Sequence, residues 1–174
     1  MAFDETSTTD DVLAGIRLDG KHALITGSTG GLGIETARAL ASVGASVTIA
    51  GRSPEKIENA LATLRDQVPN ATFDSIEVDL ASLSSIATAT KAYVDRGQSI
   101  DLLINNAGVM MCPEGKTADG FETQFGTNHL GHFAFTAGLM PALAPGARVV
   151  TLSSGAHLRG TCDVDDLNWE SRDY

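Results

Sequence analysis

The stretch Thr26-Gly27-Ser28-Thr29-Gly30-Gly31-Leu32-Gly33 separates a short apolar run, Ala23 to Thr26, from a helical pattern at Ile34 to Val43. Gly27 permits a tight exit from a strand, Gly31 lets a diphosphate approach the backbone, and Gly33 lets the helix pack closely. The helix N-terminus adds unpaired N–H groups and partial positive charge. The whole stretch from Gly27 to Gly33 therefore predicts a nucleotide-phosphate site, a ligand-free glycine turn being the alternative.

Further short apolar runs alternate with helical patterns along the chain. These runs are Val47 to Ala50, Phe73 to Val78, Leu102 to Ile104 and Val149 to Leu152. Strand and helix in alternation predict parallel strands joined by helical crossovers, and the continuous apolar character of the strands indicates helices on both faces. We therefore predict an α/β fold with a doubly wound, Rossmann-type parallel sheet, whose ligand lies beyond the carboxyl ends of the strands.

The best-defined helical pattern begins at Ser53, a good N-cap, with Pro54 at the first helical position. A second helix is expected from about Phe121 to Leu143. We expect residues 1–20 to form an N-terminal extension and residues 21–174 to form the dinucleotide-binding domain. The strand from Arg148 to Leu152 would be the fifth and last, so we expect the sheet to be truncated on that side.

Composition bounds the class of protein. The chain has 174 residues, 43% hydrophobic and 20% charged, which suits one globular domain. Its two cysteines, Cys112 and Cys162, are expected to be free thiols, and no apolar segment is long enough to span a membrane. The net charge of -10 is concentrated at the two ends of the chain and opposes nucleic-acid binding. A cytoplasmic protein without a nucleic-acid partner is the expectation.

The end of the second predicted strand indicates which dinucleotide is bound. A protein that reads NAD normally places an acidic residue there, on the ribose hydroxyls. This chain has Ala50-Gly51-Arg52 instead. Because a guanidinium can grip a phosphate through two hydrogen bonds, Arg52 favours the 2′-phosphate of NADP(H) over NAD(H). An exposed arginine that merely opens a loop is the alternative.

The glycine stretch and Asn105-Asn106-Ala107-Gly108 together make the chain resemble the short-chain dehydrogenase/reductase family, from Lys21 to Ser154. The glycines match its T-G-x-x-x-G-x-G pattern. Gly30 also permits the T-G-x-x-G-x-x-G pattern of the extended branch, which the Asn-Asn-Ala-Gly stretch disfavours. The segments 109–113, 119–122 and 127–133 are similar to retinol-dehydrogenase-like and WW-domain-oxidoreductase-like members. The resemblance implies hydride transfer between NADP(H) and a small, apolar alcohol or carbonyl compound.

The resemblance also implies roles for individual residues. Asp79 and Leu80 would lie at the adenine ring, while Asn106, Ala107 and Gly108 would line the adenosine ribose. Asn128 would be the family's helix asparagine, whose backbone holds a water in the proton relay. Ser154, rather than Ser153, would be the catalytic serine that donates to the substrate oxygen, where negative charge develops during reduction.

One element of the family pattern has no match in these 174 residues. The family's proton donor is the tyrosine of a Tyr-x-x-x-Lys pair, yet Tyr93 is followed four residues later by Gly97, and Tyr174 is the last residue. We therefore expect this chain to be inactive alone and to be the cofactor-binding half of a longer enzyme, which could form a homo-oligomer. A nucleotide-binding module without chemistry is the alternative, and a catalytic Tyr174 is a weaker one.

Two further pairs of residues are candidates for a metal site and a substrate wall. His129 and His132 lie three residues apart, but no third ligand stands at a suitable spacing, so no metal site is predicted. Met110 and Met111 could form an adaptable apolar wall for a substrate or could fill the core.

Overall fold

Five strands form one parallel sheet in the order β3-β2-β1-β4-β5 in the computed structural model, which describes residues 3–158, 163–171 and 173–174. The strands are β1 (His22–Thr26), β2 (Ser46–Gly51), β3 (Phe73–Glu77), β4 (Ile100–Asn105) and β5 (Leu143–Thr151). The chain runs outward from β1 to β3 and then crosses back to β4, which pairs with β1. This reversal places a switch point between β1 and β4, where doubly wound sheets bind their ligands. The predicted fold class is confirmed.

The helices are α1 (Thr9–Leu13), α2 (Gly31–Ser42), α3 (Pro54–Gln67), α4 (Leu83–Asp95), α5 (Thr123–Phe125) and α6 (His132–Leu139). Adjacent residues of a strand point to opposite faces of the sheet, and helices pack on both faces. Ala23 and Ile25 of β1 belong to a core with α2 and α3, whereas Leu24 belongs to a core with α4 and α6. The glycine turn is thereby held between two packed layers.

Local sequence signals locate the start of α3 but not that of α2. Ser53 is the N-cap of α3 and its hydroxyl accepts a hydrogen bond from the backbone N–H of Lys56, with Pro54 at the first helical position as predicted. Helix α2 begins at Gly31, three residues earlier than predicted, so the glycine turn contributes its own last residues to the first helical turn.

The predicted helix from Phe121 to Leu143 is not one regular helix. A π-helical turn at Gly126–Gly131 separates α5 from α6, and a 3-10 turn at Met140–Ala142 ends the helical segment. Strand β5 then begins at Leu143, earlier than predicted, with a register irregularity opposite Ile100 and Leu102 of β4. Val149, Val150 and Leu152 remain 43 to 47% exposed, which agrees with the expectation of an uncovered side next to β5.

The expected N-terminal extension is anchored on α2. Arg38 donates to both Glu35 and Asp10, and Thr9 donates to Glu35, so that α1 lies against the outer side of α2. These hydrogen bonds, chiefly those from Arg38, lower the pKa of Glu35 to about 2. Among the described residues, no helix has the length and apolar character that crossing a membrane requires. Cys112 is a free thiol, and Cys162 lies outside the described residues.

Candidate functional site

A cavity of about 440 Å³ opens at the carboxyl ends of the strands. Its lining follows the strand order: Asp79 and Leu80 after β3, Arg52 after β2, the glycine turn after β1, Asn106 to Val109 after β4, and Leu152 after β5. Because neighbouring strands lie about 4.8 Å apart, this arrangement extends roughly 19 Å across the sheet. An elongated ligand would therefore contact one strand end after another.

The glycine turn folds as the spacing predicts, but one of its residues faces inward. Thr29, Gly30, Leu32 and Gly33 line the cavity together with Gly27. Ser28, by contrast, is fully buried: its hydroxyl donates to the Ile25 carbonyl and accepts from the Ala50 N–H. The predicted binding role of Ser28 thus does not extend to its side chain, which ties the end of β1 to the end of β2.

The N-terminus of α2 is open toward the cavity. Gly30 is the N-cap, and no side chain of the described residues accepts a hydrogen bond from the first N–H groups of the helix. A Cβ at Gly30 or at Gly31 would have no neighbouring atom within 4 Å, so free space lies above the turn. Gly31 itself does not line the cavity, although its neighbours do. Unpaired N–H groups beside free space can hold phosphate oxygens.

Two cations lie beside β2 at this edge. Arg52 and Lys56 both line the cavity, and neither forms an ion pair with any residue in the described ranges. Arg52 was predicted from the sequence, whereas Lys56 was not. Lys56 lies in the first turn of α3, where the helix dipole disfavours a cation. A lysine at such a position indicates a candidate anion site. The positive charges of Lys56 and Arg52 would together attract an anionic ligand into the cavity.

Asp79 and Leu80 stand at the far end of the cavity, next to the cations. One carboxylate oxygen of Asp79 accepts from the backbone N–H of Ala81, and its backbone N–H donates to Ser85. The second carboxylate oxygen accepts no hydrogen bond within the described residues and is available to an amine. Leu80 is 8% exposed and supplies an apolar surface to the cavity.

The Asn105-Asn106-Ala107-Gly108 stretch forms the middle of the cavity wall. The Asn105 amide donates to Thr136 and Thr151, which ties β4 to α6 and β5. Asn106, Ala107 and Gly108 line the cavity. The Asn106 side chain is committed to the protein, because its amide donates to the Thr26 carbonyl at 2.8 Å. Its contribution to the cavity is therefore a held backbone rather than a free amide.

The two predicted catalytic residues lie near the β4 and β5 end of the cavity, but neither lines it. The Asn128 side chain, in the π-helical turn, accepts from the Val109 N–H and donates to the Val109 carbonyl, both at 2.8 Å. Ser154 is exposed two residues after Leu152, which does line the cavity. The Ser154 hydroxyl accepts from the Ala156 N–H, and its proton remains available for a ligand oxygen.

Neither tyrosine is prepared for proton donation near neutral pH. Tyr93 is fully buried in the core, and burial raises its pKa to about 12. The Tyr174 hydroxyl donates to the Glu122 carboxylate at 2.8 Å and accepts from Gln124. Burial and the Glu122 carboxylate raise the pKa of Tyr174, the opposite of what a catalytic tyrosine requires.

His129 and His132, considered as candidate metal ligands, both contact other groups of the protein. The two ring nitrogens of His132 contact Thr26 and the Asn128 carbonyl, while the His129 ring stacks on Phe125 at 5.3 Å. No group of three potential metal ligands occurs in the part of the chain that the structure describes. Met110 and Met111 are 72% and 87% exposed, so they do not fill the core.

Comparison with known proteins agrees with this geometry. The family model for short chain dehydrogenases matches residues 21–163. Retinol dehydrogenase 13 of Homo sapiens is 44% identical over 159 residues, which are 90% of this chain and 48% of that protein. The chain spans about half the length of the curated relatives it matches.

Solved structures extend the comparison to the fold. An uncharacterised protein from Mycobacterium paratuberculosis is 45% identical with a TM-score of 0.79, over 91% of this chain and 55% of that one. The RhlG/NADP active-site complex of Pseudomonas aeruginosa is 27% identical with a TM-score of 0.62, over 72% and 49% of the two chains. Glycine turn, strand order and relatives together show that the chain belongs to the short-chain dehydrogenase/reductase family, in its retinol-dehydrogenase-like branch.

Proposed function

We propose that this protein is an NADP(H)-dependent oxidoreductase that transfers a hydride between the cofactor and an apolar alcohol or carbonyl compound. One observation supports the cofactor choice above others: Arg52 and Lys56 line the same cavity, and neither pairs with an anion among the described residues. A 2′-phosphate would satisfy both cations, whereas the ribose hydroxyls of NAD(H) would leave them without an anion. The related RhlG structure is an NADP complex.

The lining of the cavity supports this cofactor at several points. Asp79 and Leu80 would hold the adenine, Arg52 and Lys56 the 2′-phosphate, and the open N-terminus of α2 the diphosphate. Asn106, Ala107 and Gly108 would line the adenosine ribose. When bound, the nicotinamide supplies or accepts the hydride. The residues of the protein then hold the substrate, exclude water and stabilise charge on the reacting oxygen.

The apolar character of the proposed substrate rests on the β4 and β5 end of the site. Leu32 and Val109 line the cavity, Leu32 is 75% exposed, and Met110 and Met111 follow Val109 with free side chains. Unbranched methionines adapt to irregular apolar shapes. The related retinol dehydrogenase 13 is named for retinol, an apolar alcohol. We propose that these side chains form one wall of the substrate site.

Ser154 and Asn128 are the proposed catalytic residues. The Ser154 hydroxyl would donate to the substrate oxygen, because a preorganised donor stabilises the negative charge that develops there. Asn128 would hold a water of the proton relay through its backbone, and its side chain fixes Val109 beside the site. A homo-oligomeric assembly and a cytoplasmic location remain predictions.

A nucleotide-binding module without chemistry is the second candidate. It rests on the same cavity lining, which would bind a nucleotide whether or not hydride transfer follows. An activity assay separates the two candidates. The full-length protein is incubated with NADPH and an apolar aldehyde such as retinal, and NADPH oxidation is followed by absorbance. We expect saturable oxidation that depends on the aldehyde; binding of NADPH without turnover of any apolar carbonyl compound would support the binding module instead.

A further inference from the structure

Six hydrogen bonds that join Thr26, His132, Asn128 and residues 106–109 form a closed ring around the cavity wall after β4. Thr26 accepts from the backbone N–H groups of Asn106 and Ala107, both at 3.0 Å, and contacts His132 Nε2 at 2.8 Å. His132 Nδ1 contacts the Asn128 carbonyl at 2.8 Å. The Asn128 side chain then holds both backbone polar groups of Val109, which returns along the chain to Ala107.

The proton positions in this ring follow from its geometry. The Thr26 hydroxyl oxygen has two lone pairs, and both accept backbone N–H groups. Its proton must therefore point to His132 Nε2, which accepts it. Since the Asn128 carbonyl can only accept, the single N–H proton of the His132 imidazole is on Nδ1. His132 is thus neutral with its proton on Nδ1, and every donor in the ring has one acceptor.

Burial and helix geometry agree with this assignment. His132 is 4% exposed, and burial lowers its pKa, which favours the neutral imidazole. Its own backbone N–H donates to the His129 carbonyl, at the point where the π-helical turn ends and α6 begins. Such turns often occur at functional sites. The turn contains Asn128, whose carbonyl contacts His132 Nδ1.

From this ring we infer that His132 is a positioning residue, which couples the Asn128 carbonyl to the Asn106–Val109 wall of the cavity through Thr26. The inference rests on the proposed function only for its effect on catalysis, since the ring itself is formed by the protein alone. Without His132, Asn128 and the wall would still be present but no longer held at a common position. We expect a His132→Phe variant to bind NADPH less than tenfold more weakly, because the His132 imidazole itself does not line the cavity, and to lose at least tenfold in kcat.

The experiment measures the ring and the function separately in the full-length protein. With ¹⁵N-labelled histidine, NMR of the wild-type protein without cofactor should show His132 with one protonated nitrogen, Nδ1, and one unprotonated nitrogen, Nε2. The signal is assigned by its absence in His132→Phe. Thr26→Val should alter this pattern, whereas Thr26→Ser, which keeps the hydroxyl, should preserve it and should retain wild-type kcat.

The outcomes are distinguishable. A proton on Nε2, a doubly protonated ring at neutral pH, or an identical pattern in Thr26→Val would overturn the inference whatever the cofactor. A kcat of His132→Phe within twofold of wild type would also overturn it. Should that variant fail to fold, the wild-type spectrum and the two Thr26 variants still decide. Failure of wild-type protein to bind NADPH would contradict the proposed function and leave the proton assignment intact.

Discussion

Gly33 lies so close to the Gly27 carbonyl that a Cβ on Gly33 would come within 3.0 Å of its oxygen, a separation that real Cβ atoms do not show. The same Cβ would also crowd the Asn106 amide. The first turn of α2 is therefore pressed against the end of β1 and the wall after β4. This close approach places the helix N-terminus at the cavity.

The close approach predicts the effect of adding one methyl group. Gly33→Ala should lower the free energy of unfolding by about 1 to 3 kcal/mol, since the backbone must move. Gly30→Ala is the matched control: Gly30 has extended backbone and open space around it, so its cost should stay within about 0.5 kcal/mol. Urea unfolding of both variants tests this. Equal costs for the two would show that the close contact does not constrain the turn.

Lys56 is expected to contribute to cofactor selection. Lys56→Ala should weaken NADPH binding roughly tenfold or more while leaving NADH binding unchanged, because a charge-assisted hydrogen bond contributes about 1.5 to 3 kcal/mol. Lys91→Ala removes a lysine of α4 that pairs with Asp95 instead, and it should change neither affinity. Fluorescence titration measures both cofactors. Equal weakening for NADPH and NADH would remove Lys56 from the 2′-phosphate site.

Ser154 is expected to affect turnover far more than binding. Loss of one donor to a developing oxyanion typically costs about a hundred- to a thousandfold in rate, so Ser154→Ala should lose that much in kcat with NADPH affinity retained. Ser153→Ala, its exposed neighbour, provides the matched comparison and should remain within a few-fold of wild type. The reverse ranking of the two serines would mean that Ser153 contacts the substrate.

Stability should decrease in mildly acidic solution because of two buried histidines. Burial lowers the pKa of His22 and of His132 below the ordinary value of 6.5. The unfolded chain therefore takes up more protons than the folded one as the pH falls below about 6.5. The free energy of unfolding should decrease there by at most about 1.4 kcal/mol per pH unit for each histidine, and should be flat above. Urea unfolding from about pH 8 to 5 measures this; stability that is constant or rises on acidification contradicts it.

Much of the fold was predictable from local pattern. The alternation of apolar runs and helical stripes indicated a parallel sheet, and Ser53 with Pro54 located the start of α3 correctly. The interruption between α5 and α6 was not predictable, because one π-helical turn changes the hydrophobic period too little to be seen in sequence. Strand β5 was predicted too short, since Pro145 and Gly146 resemble a loop although they lie within its bounds.

The site was predictable in outline but not in the direction of its side chains. Sequence order placed the turn, Arg52, Asp79 and the stretch after β4 at one edge, because parallel strands end together. Ser28 resembles its neighbour Thr29 in the sequence, yet tertiary hydrogen bonds turn it inward. Lys56 lies in the first turn of α3, whose start was predicted, so its position beside Arg52 was also open to prediction. The ring through His132 joins residues up to 106 positions apart, which no local pattern reveals.

Selection of NADP(H) would depend on Arg52 and Lys56, which line the cavity and pair with no anion among the described residues. Equilibrium titration of the full-length protein with NADPH and with NADH, for wild type and for Arg52→Asp, tests it most directly. We expect wild-type protein to bind NADPH roughly ten- to a hundredfold more tightly than NADH, and Arg52→Asp to lose or reverse this preference. Equal affinities of the wild-type protein for both cofactors, or tighter binding of NADH, would contradict the account.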